Sequence, residues 1–384
     1  MKTSTILQNA IKLKSWGVKH RRYLHQHPEL ALQEKETAHY CKSVLHSLGY
    51  KIQNSWGYGF TADLNIKRAK TRIAFRADMD ALPINEKTMH NFKSKKPNIA
   101  HLCGHDAHMA IALTTAKLLK NNQASLKHNV RFIFQPSEEI PPGGALSMIK
   151  NGCLQSVTEI YGLHMWDNPL GKVSLCEGPL MAGIANFDII IIGKGCHAAE
   201  PNKGLNPIEA VAYSIEQVKK IRNKLATKQD TILSITACNA GSSNNVIPST
   251  AKISGTIRSL NKEKILKAKK LLAQIILPLK KQGYKIHINF ILGYDPLINK
   301  KYGVSRVVNA AKLITPDKMI DTNISSSMVS EDFGYYLQKK PGAFFMLGYR
   351  NKKITAPLHS PHFDIDENAI PIGAAIFASL ALTV

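Results

Sequence analysis

The chain has 384 residues, room for about two or three domains, and its 44% hydrophobic and 20% charged content excludes disordered and fibrous classes. Lys and Arg number 51 against 27 Asp and Glu, a net charge of +24 that raises a polyanion partner as one alternative. Six cysteines are too sparse for a disulfide scaffold and suit a reducing, cytoplasmic setting.

Lys12 and Lys14 interrupt any apolar leader, so no signal peptide is expected. Residues 37–48 predict an amphipathic helix stopped by Gly49, 72–76 a strand, 107–120 a helix, 129–134 a strand and 159–163 another. Strands alternating with helices in this way predict a largely parallel sheet. Near residue 185 the pattern changes. A β-branched strand at 186–192 is followed by a helix at 207–225, strands at 231–238 and 251–258, a Lys-rich helix at 262–282 and a strand at 285–291. That β-α-β-β-α-β order is the ferredoxin-like split unit. The stretch 369–384 is too short for a membrane span, carries Pro371 and Gly373, and reads as a buried helix. The fold class expected is therefore α/β: a catalytic domain with a mixed, mostly parallel sheet (1–184 and 294–384) and an inserted ferredoxin-like α+β domain (185–293).

Acidic residues are few, and they cluster. Asp78 and Asp80 follow one predicted strand, Glu138 and Glu139 another, and His164 a third. Ligands of open α/β sheets bind beyond the carboxyl ends of strands, so the three clusters can share one crevice. His101, Cys103, His105, Asp106 and His108 crowd a thiol and three imidazoles into eight residues at a helix entry. That donor set suits a borderline transition metal; the plainer alternative is an Asp-bearing helix start with incidental histidines. Paired glutamates are most often an exposed acidic loop. Beside a metal they divide the labour: one carboxylate binds the ion and its neighbour takes a proton from a water the ion has acidified. Pro136 before the pair and Pro141, Pro142, Gly143 and Gly144 after it argue for a shaped loop. His197, Asn245 and Arg258 are ordinary by themselves, as turn and surface residues, and His359 and His362 read as loop histidines.

Taken together and in order, the segments RRYLHQHPEL (21–30), FRADMDALPI (75–84), HLCGHDAHMA (101–110), FQPSEEIPPGGA (134–145), GLHMW (162–166), GKGCHAAEP (193–201), NVIPSTAKISGTIRSL (245–260), SEDFGYYLQKKPGAFFMLG (330–348) and LHSPHFDIDENAIPIGAA (358–375) resemble a known family. It is the dinuclear metal amidohydrolases of the aminoacylase/carboxypeptidase-like clan. The nearest branch holds hippurate hydrolases, indole-acetyl-amino-acid hydrolases and N-acetyldiaminopimelate deacetylases. The resemblance implies that Cys103, His105, Glu139, His164 and His359 hold two divalent metal ions (manganese, zinc, nickel or cobalt). It implies Glu138 as general base and Asp78 as the acid behind the site that orients a ligand. It makes the inserted domain a lid and dimerisation domain, with His197 and Asn245 acting on the scissile carbonyl across a homodimer or higher oligomer, and Arg258 holding the substrate carboxylate.

The expected reaction is hydrolysis of an N-acyl amino acid, of hippurate or N-acetyl type, to a carboxylic acid and a free amino acid. No membrane or specific nucleic acid partner is expected. The chain departs from the family pattern at Leu102, Ile140 and Cys196, where Ala, Gly and Gly are common. Ile140 and the two prolines after it are expected to reshape the substrate pocket, and none of the three changes removes an expected ligand or the base. The alternatives are a non-catalytic family member acting as a binding protein, and a basic nucleic-acid-binding protein.

Overall fold

The computed structural model describes residues 3–225 and 230–383. It divides into two compact units. One comprises Met1–Gly178, Ile298–Ser325 and Asp332–Val384; the other comprises Pro179–Leu297 and Ser326–Glu331.

The first unit is built on an eight-stranded mixed sheet. Its spatial order is Lys51–Asn54, Phe60–Leu64, Asn129–Gln135, Arg72–Asp78, Glu159–Pro169, Gly342–Arg350, Val173–Ser174 and Ile320–Asp321. The central strands run parallel, and antiparallel pairing is confined to the Lys51–Leu64 hairpin, its junction with Asn129–Gln135, and the short strand Val173–Ser174. RIAFRAD and NVRFIFQ are buried along all but their first residue, as strands covered on both faces require. Their register pairs Asp78 with Gln135, so the parallel ladder delivers polar residues together at its carboxyl end.

Two apolar helices cover this sheet. His105–Asn121 is buried over most of its length, and Ala369–Leu382 is apolar nearly throughout. Phe75 and Phe377 pack with their rings tilted by 34° and centroids 4.7 Å apart, one contact of a core that includes Phe132, Tyr161 and Phe345. Each such ring contributes about 1.5–3 kcal/mol by leaving water. The C-terminal helix is thus a core element. Among the described residues no helix is long and apolar enough to cross a membrane.

The second unit is a four-stranded antiparallel sheet in the order Thr231–Ala240, Thr250–Ser259, Gly183–Ile192, Lys285–Leu292. Helices Pro207–Leu225 and Lys262–Ile275 pack on it around Phe187, Ile189, Ile253 and Leu272. This is the ferredoxin-like arrangement. The segment Ser326–Glu331 belongs to it as well, since Met181 bridges to Ser327.

Two expectations need correcting. The helix read at 262–282 is two helices, Lys262–Ile275 and Leu277–Lys281, because Pro278 has no N–H to continue the first. The strand read at 159–163 continues to Pro169, so His164 lies inside it rather than after it. The unforeseen neighbour Gly342–Arg350 keeps the chain extended by pairing Met346 with His164.

Candidate metal centre

Gly104 sets the geometry at the head of the ligand helix. Its φ of 88° is left-handed, and a Cβ there would sit 3.1 Å from the Met165 Cβ. The turn leaves Cys103 on one side and starts the helix at His105. Cys103 Sγ lies 3.4 Å from His164 Nε2 and 3.2 Å from His359 Nε2. Glu139 Oε1 is 3.5 Å from the same His359 nitrogen. His105 Nε2 faces three carboxylates, Asp78 at 3.8 Å, Glu139 at 3.9 Å and Glu138 at 4.0 Å. Residues from five separate stretches of chain therefore converge within the first unit. Cys103, His105 and His164 have donor atoms close enough to share one ion, and so do Cys103, Glu139 and His359.

The imidazoles are sorted by what their other nitrogen does. His105 Nδ1 lies 2.8 Å from the Asp80 carbonyl, and His164 Nδ1 lies 2.7 Å from the Met165 carbonyl. A carbonyl only accepts, so each Nδ1 carries a proton and, in the neutral ring, each Nε2 turns its lone pair to the cluster, as a metal-binding histidine does. His105 Nε2 is buried and makes no hydrogen bond. A buried nitrogen lone pair facing carboxylates is costly unless a cation fills the space. The residues present therefore fit a divalent ion, and a thiol, imidazoles and carboxylates form a mixed donor set suited to a borderline transition metal.

His108 has the opposite arrangement. Its Nδ1 is 2.6 Å from Asp78 Oδ1 and its Nε2 accepts the Met165 N–H at 2.8 Å, so neither nitrogen is left for a metal. Asp78 is held behind the cluster by this histidine and by Arg76, whose Nη1 donates to Oδ2 at 2.5 Å.

The sequence reading placed Asp80 in an acidic cluster but gave it no role. The two carboxylate oxygens of Asp80 accept the N–H groups of Glu138 and Glu139, each at 2.9 Å. Asp80 thereby sets the backbone of the glutamate pair while its own carbonyl fixes the His105 ring. Its place beside Asp78 in the ADMD stretch was the available signal.

The electrostatics follow from burial and crowding. Burial opposes charge on His105, but Asp78, Asp80 and Glu139 outweigh it and raise its pKa to about 10, so a proton and a metal ion would compete for Nε2. Burial drives His164 well below the usual histidine value, and burial together with Glu139 and Glu138 pushes the Cys103 thiol well up. Against burial, His359 and His105 hold Glu139 low, while His105 and Arg76 do the same for Asp78. The pocket is an anionic one that attracts a positive charge.

The other three candidate residues lie in the second unit. His197 pairs with Val246 in a two-residue ladder, and the Ala198 N–H donates to the Asn245 carbonyl at 3.0 Å, so His197 and Asn245 are neighbours and both exposed. Arg258 is half-buried, with Nη1 donating to the Met328 carbonyl at 2.9 Å; burial lowers its pKa.

Residues 74–383 match Peptidase family M20/M25/M40. The chain belongs to this family. An N-acetylcysteine deacetylase of Bacillus subtilis (strain 168) is 36% identical over 369 residues, covering 95% of each chain. An IAA-amino acid hydrolase of Arabidopsis thaliana is 34% identical over 380 residues, with 95% of this chain and 85% of the relative covered. Among solved structures, the YXEP protein of Bacillus subtilis, described as a dinuclear metal binding peptidase from the M20 family, superposes with a TM-score of 0.83. It is 32% identical, with 97% of this chain and 98% of that chain covered. The present chain is a metal-dependent M20 enzyme of amidohydrolase or peptidase-like type.

Proposed function

We propose that this M20 enzyme hydrolyses the amide bond of an N-acyl amino acid to a carboxylic acid and a free amino acid. Cys103, His105, Glu139, His164 and His359 would hold two divalent ions, drawn from manganese, zinc, nickel or cobalt. Bound there, such ions would polarise a carbonyl oxygen and make a water more acidic. The observation that carries the reading is the pair of imidazoles whose Nδ1 atoms are tied to carbonyls, with both Nε2 atoms turned toward Cys103 and the carboxylates.

Glu138 takes the proton of the attacking water and passes it to the departing amine. It stands beside the ligand set, 4.0 Å from His105 Nε2, and Asp80 holds its backbone. Asp78 steadies the site from behind through His108 and Arg76. His197 and Asn245 contact the scissile carbonyl oxygen across a homodimer interface, and Arg258 binds the substrate carboxylate. A guanidinium fork suits that carboxylate because two of its N–H groups can bond both oxygens. N-acyl amino acids are favoured as substrates because relatives at 36% and 34% identity are an N-acetylcysteine deacetylase and an IAA-amino acid hydrolase. A cytoplasmic setting is proposed because six cysteines in 384 residues are too sparse for a disulfide scaffold.

The test is a panel of N-acetyl, N-benzoyl and N-indole-acetyl amino acids, assayed after reconstitution with each of the four metals. Turnover of at least one substrate class that a chelator abolishes is expected. No turnover by protein carrying a full metal complement would contradict the proposal.

A further inference from the structure

Behind the ligands lies a buried ion cluster to which no role has been assigned. Arg21, on the helix Lys14–Gln26, is fully buried, and its three guanidinium nitrogens go to three carboxylates. Nε donates to Asp106 Oδ2 at 2.9 Å, Nη2 to Asp364 Oδ1 at 2.7 Å, and Nη1 to Glu367 Oε1 at 3.3 Å. Asp106 follows His105 directly. Asp364 and Glu367 lie on the segment that begins with His359. One side chain thus grips both the turn carrying Cys103 and His105 and the loop carrying His359.

The His359 loop needs such a grip. His359 has a φ of 65°, uncommon for a residue with a side chain and stable only where neighbours enforce it. Its N–H donates to the Leu102 carbonyl at 2.7 Å, and the Lys87 N–H donates to the Pro361 carbonyl at 2.8 Å. Its side chain is half exposed, so packing alone does not hold the ring. By contrast, His164 sits within a paired strand and its ring is locked by the Met165 carbonyl.

We propose that Arg21 is a positioning residue that sets the His359 loop against the Cys103 turn, and so governs the cation position bounded by Cys103, Glu139 and His359 more than the one bounded by Cys103, His105 and His164. The inference rests on the dinuclear reading above. The fork matters more than the charge: a lysine in place of Arg21 keeps one cation in the cluster but cannot reach three carboxylates in fixed directions.

The experiment is a manganese titration of the metal-free full-length chain, followed by calorimetry, for the wild type and for Arg21→Lys, Asp364→Asn and His359→Ala. Asp364→Asn acts at the partly exposed end of the cluster, so it serves where Arg21→Lys does not fold. His359→Ala identifies which binding step belongs to its own position. The expected result is two steps in the wild type. Arg21→Lys and Asp364→Asn should weaken by about 10–100-fold the step that His359→Ala removes, and leave the other step within a few-fold. A wild type binding fewer than two equivalents contradicts the dinuclear reading. A wild type binding two, whose Arg21 and Asp364 variants lose both steps alike or neither, overturns the Arg21 assignment by itself.

Discussion

His105 and His164 are buried, and each has one ring nitrogen tied to a carbonyl, whereas His197 stands exposed on a two-residue ladder beside an exposed Asn245. The first pair is preorganised before any substrate arrives. Its cost was met during folding, when the fixed backbone of the sheet and the helix start set the ring directions. The second pair is held only by local, exposed contacts, the Ala199 N–H donating to His197 Nδ1 and the Ser243 hydroxyl to Asn245 Oδ1. Removing a member of the buried set should therefore disturb metal or chemistry, and removing an exposed one should disturb substrate affinity.

The largest expected effect is at Glu138. Glu138→Gln keeps the shape and removes the base, so turnover should fall by about 10²–10⁴-fold while metal content stays at the wild-type level. Near-normal turnover in that variant would remove Glu138 from its role. Next is Asp80→Asn. One oxygen is exchanged for an amide donor that faces the N–H of Glu138 or Glu139, and about 10–100-fold in activity or metal affinity should be lost. An unchanged enzyme would show that the glutamate loop holds itself. A smaller effect is expected at Arg258, which lies in the second unit and is only half-buried. Arg258→Lys should raise KM for substrates with a free carboxylate by about 10-fold, in line with roughly 1.5–3 kcal/mol for a hydrogen bond to a charged group, with kcat nearly constant. A fall in kcat at constant KM would contradict that role.

The smallest effects are on stability, and they oppose one another along a single helix. His25 Nδ1 and Nε2 face Asp106 and Glu86 at 2.9 and 3.1 Å. Burial works against its charge, but these carboxylates raise its pKa to about 9. Its folded value lies above the unfolded one, so its contribution is complete below about 6.5 and is lost as pH climbs through about 9. His20 is pushed down to about 4 by burial and by Lys19 and Lys117. Its neutral form suits the fold, so its penalty grows as pH falls from 6.5 toward 4. Thermal melts across pH should show His25→Gln flattening the alkaline side and His20→Gln the acid side. Parallel curves for either variant would contradict the assigned shift.

The metal-binding character was legible because the donors come in short runs. Cys103 and His105 are separated by one residue, Glu138 and Glu139 by none, and each run sits where a strand or helix begins or ends. Which imidazole turns to the cluster was legible only through the family resemblance, which gave His105 and not His108; local pattern alone did not separate them. His105 and His108 look alike in the sequence. They differ only because the Asp80 carbonyl meets one ring while Asp78 and the Met165 N–H meet the other. Arg21 opens the RRYLHQHPEL segment of that resemblance, but its partners Asp106 and Asp364 lie far along the chain and no local pattern joins them to it. Local pattern gives helix and strand period, but a buried cation is defined by partners that only folding brings near. The ferredoxin-like order was readable from alternating segments, whereas the break before Pro278 and the strand Gly342–Arg350 depended on backbone chemistry and on sheet pairing.

Metal content tests the central claim most directly. Elemental analysis of the reconstituted wild type should give two equivalents of metal per chain, and Cys103→Ser, which alters the donor common to both candidate positions, should give clearly less. A Cys103→Ser protein that retains the wild-type metal content would contradict the assignment of this cluster as the metal centre.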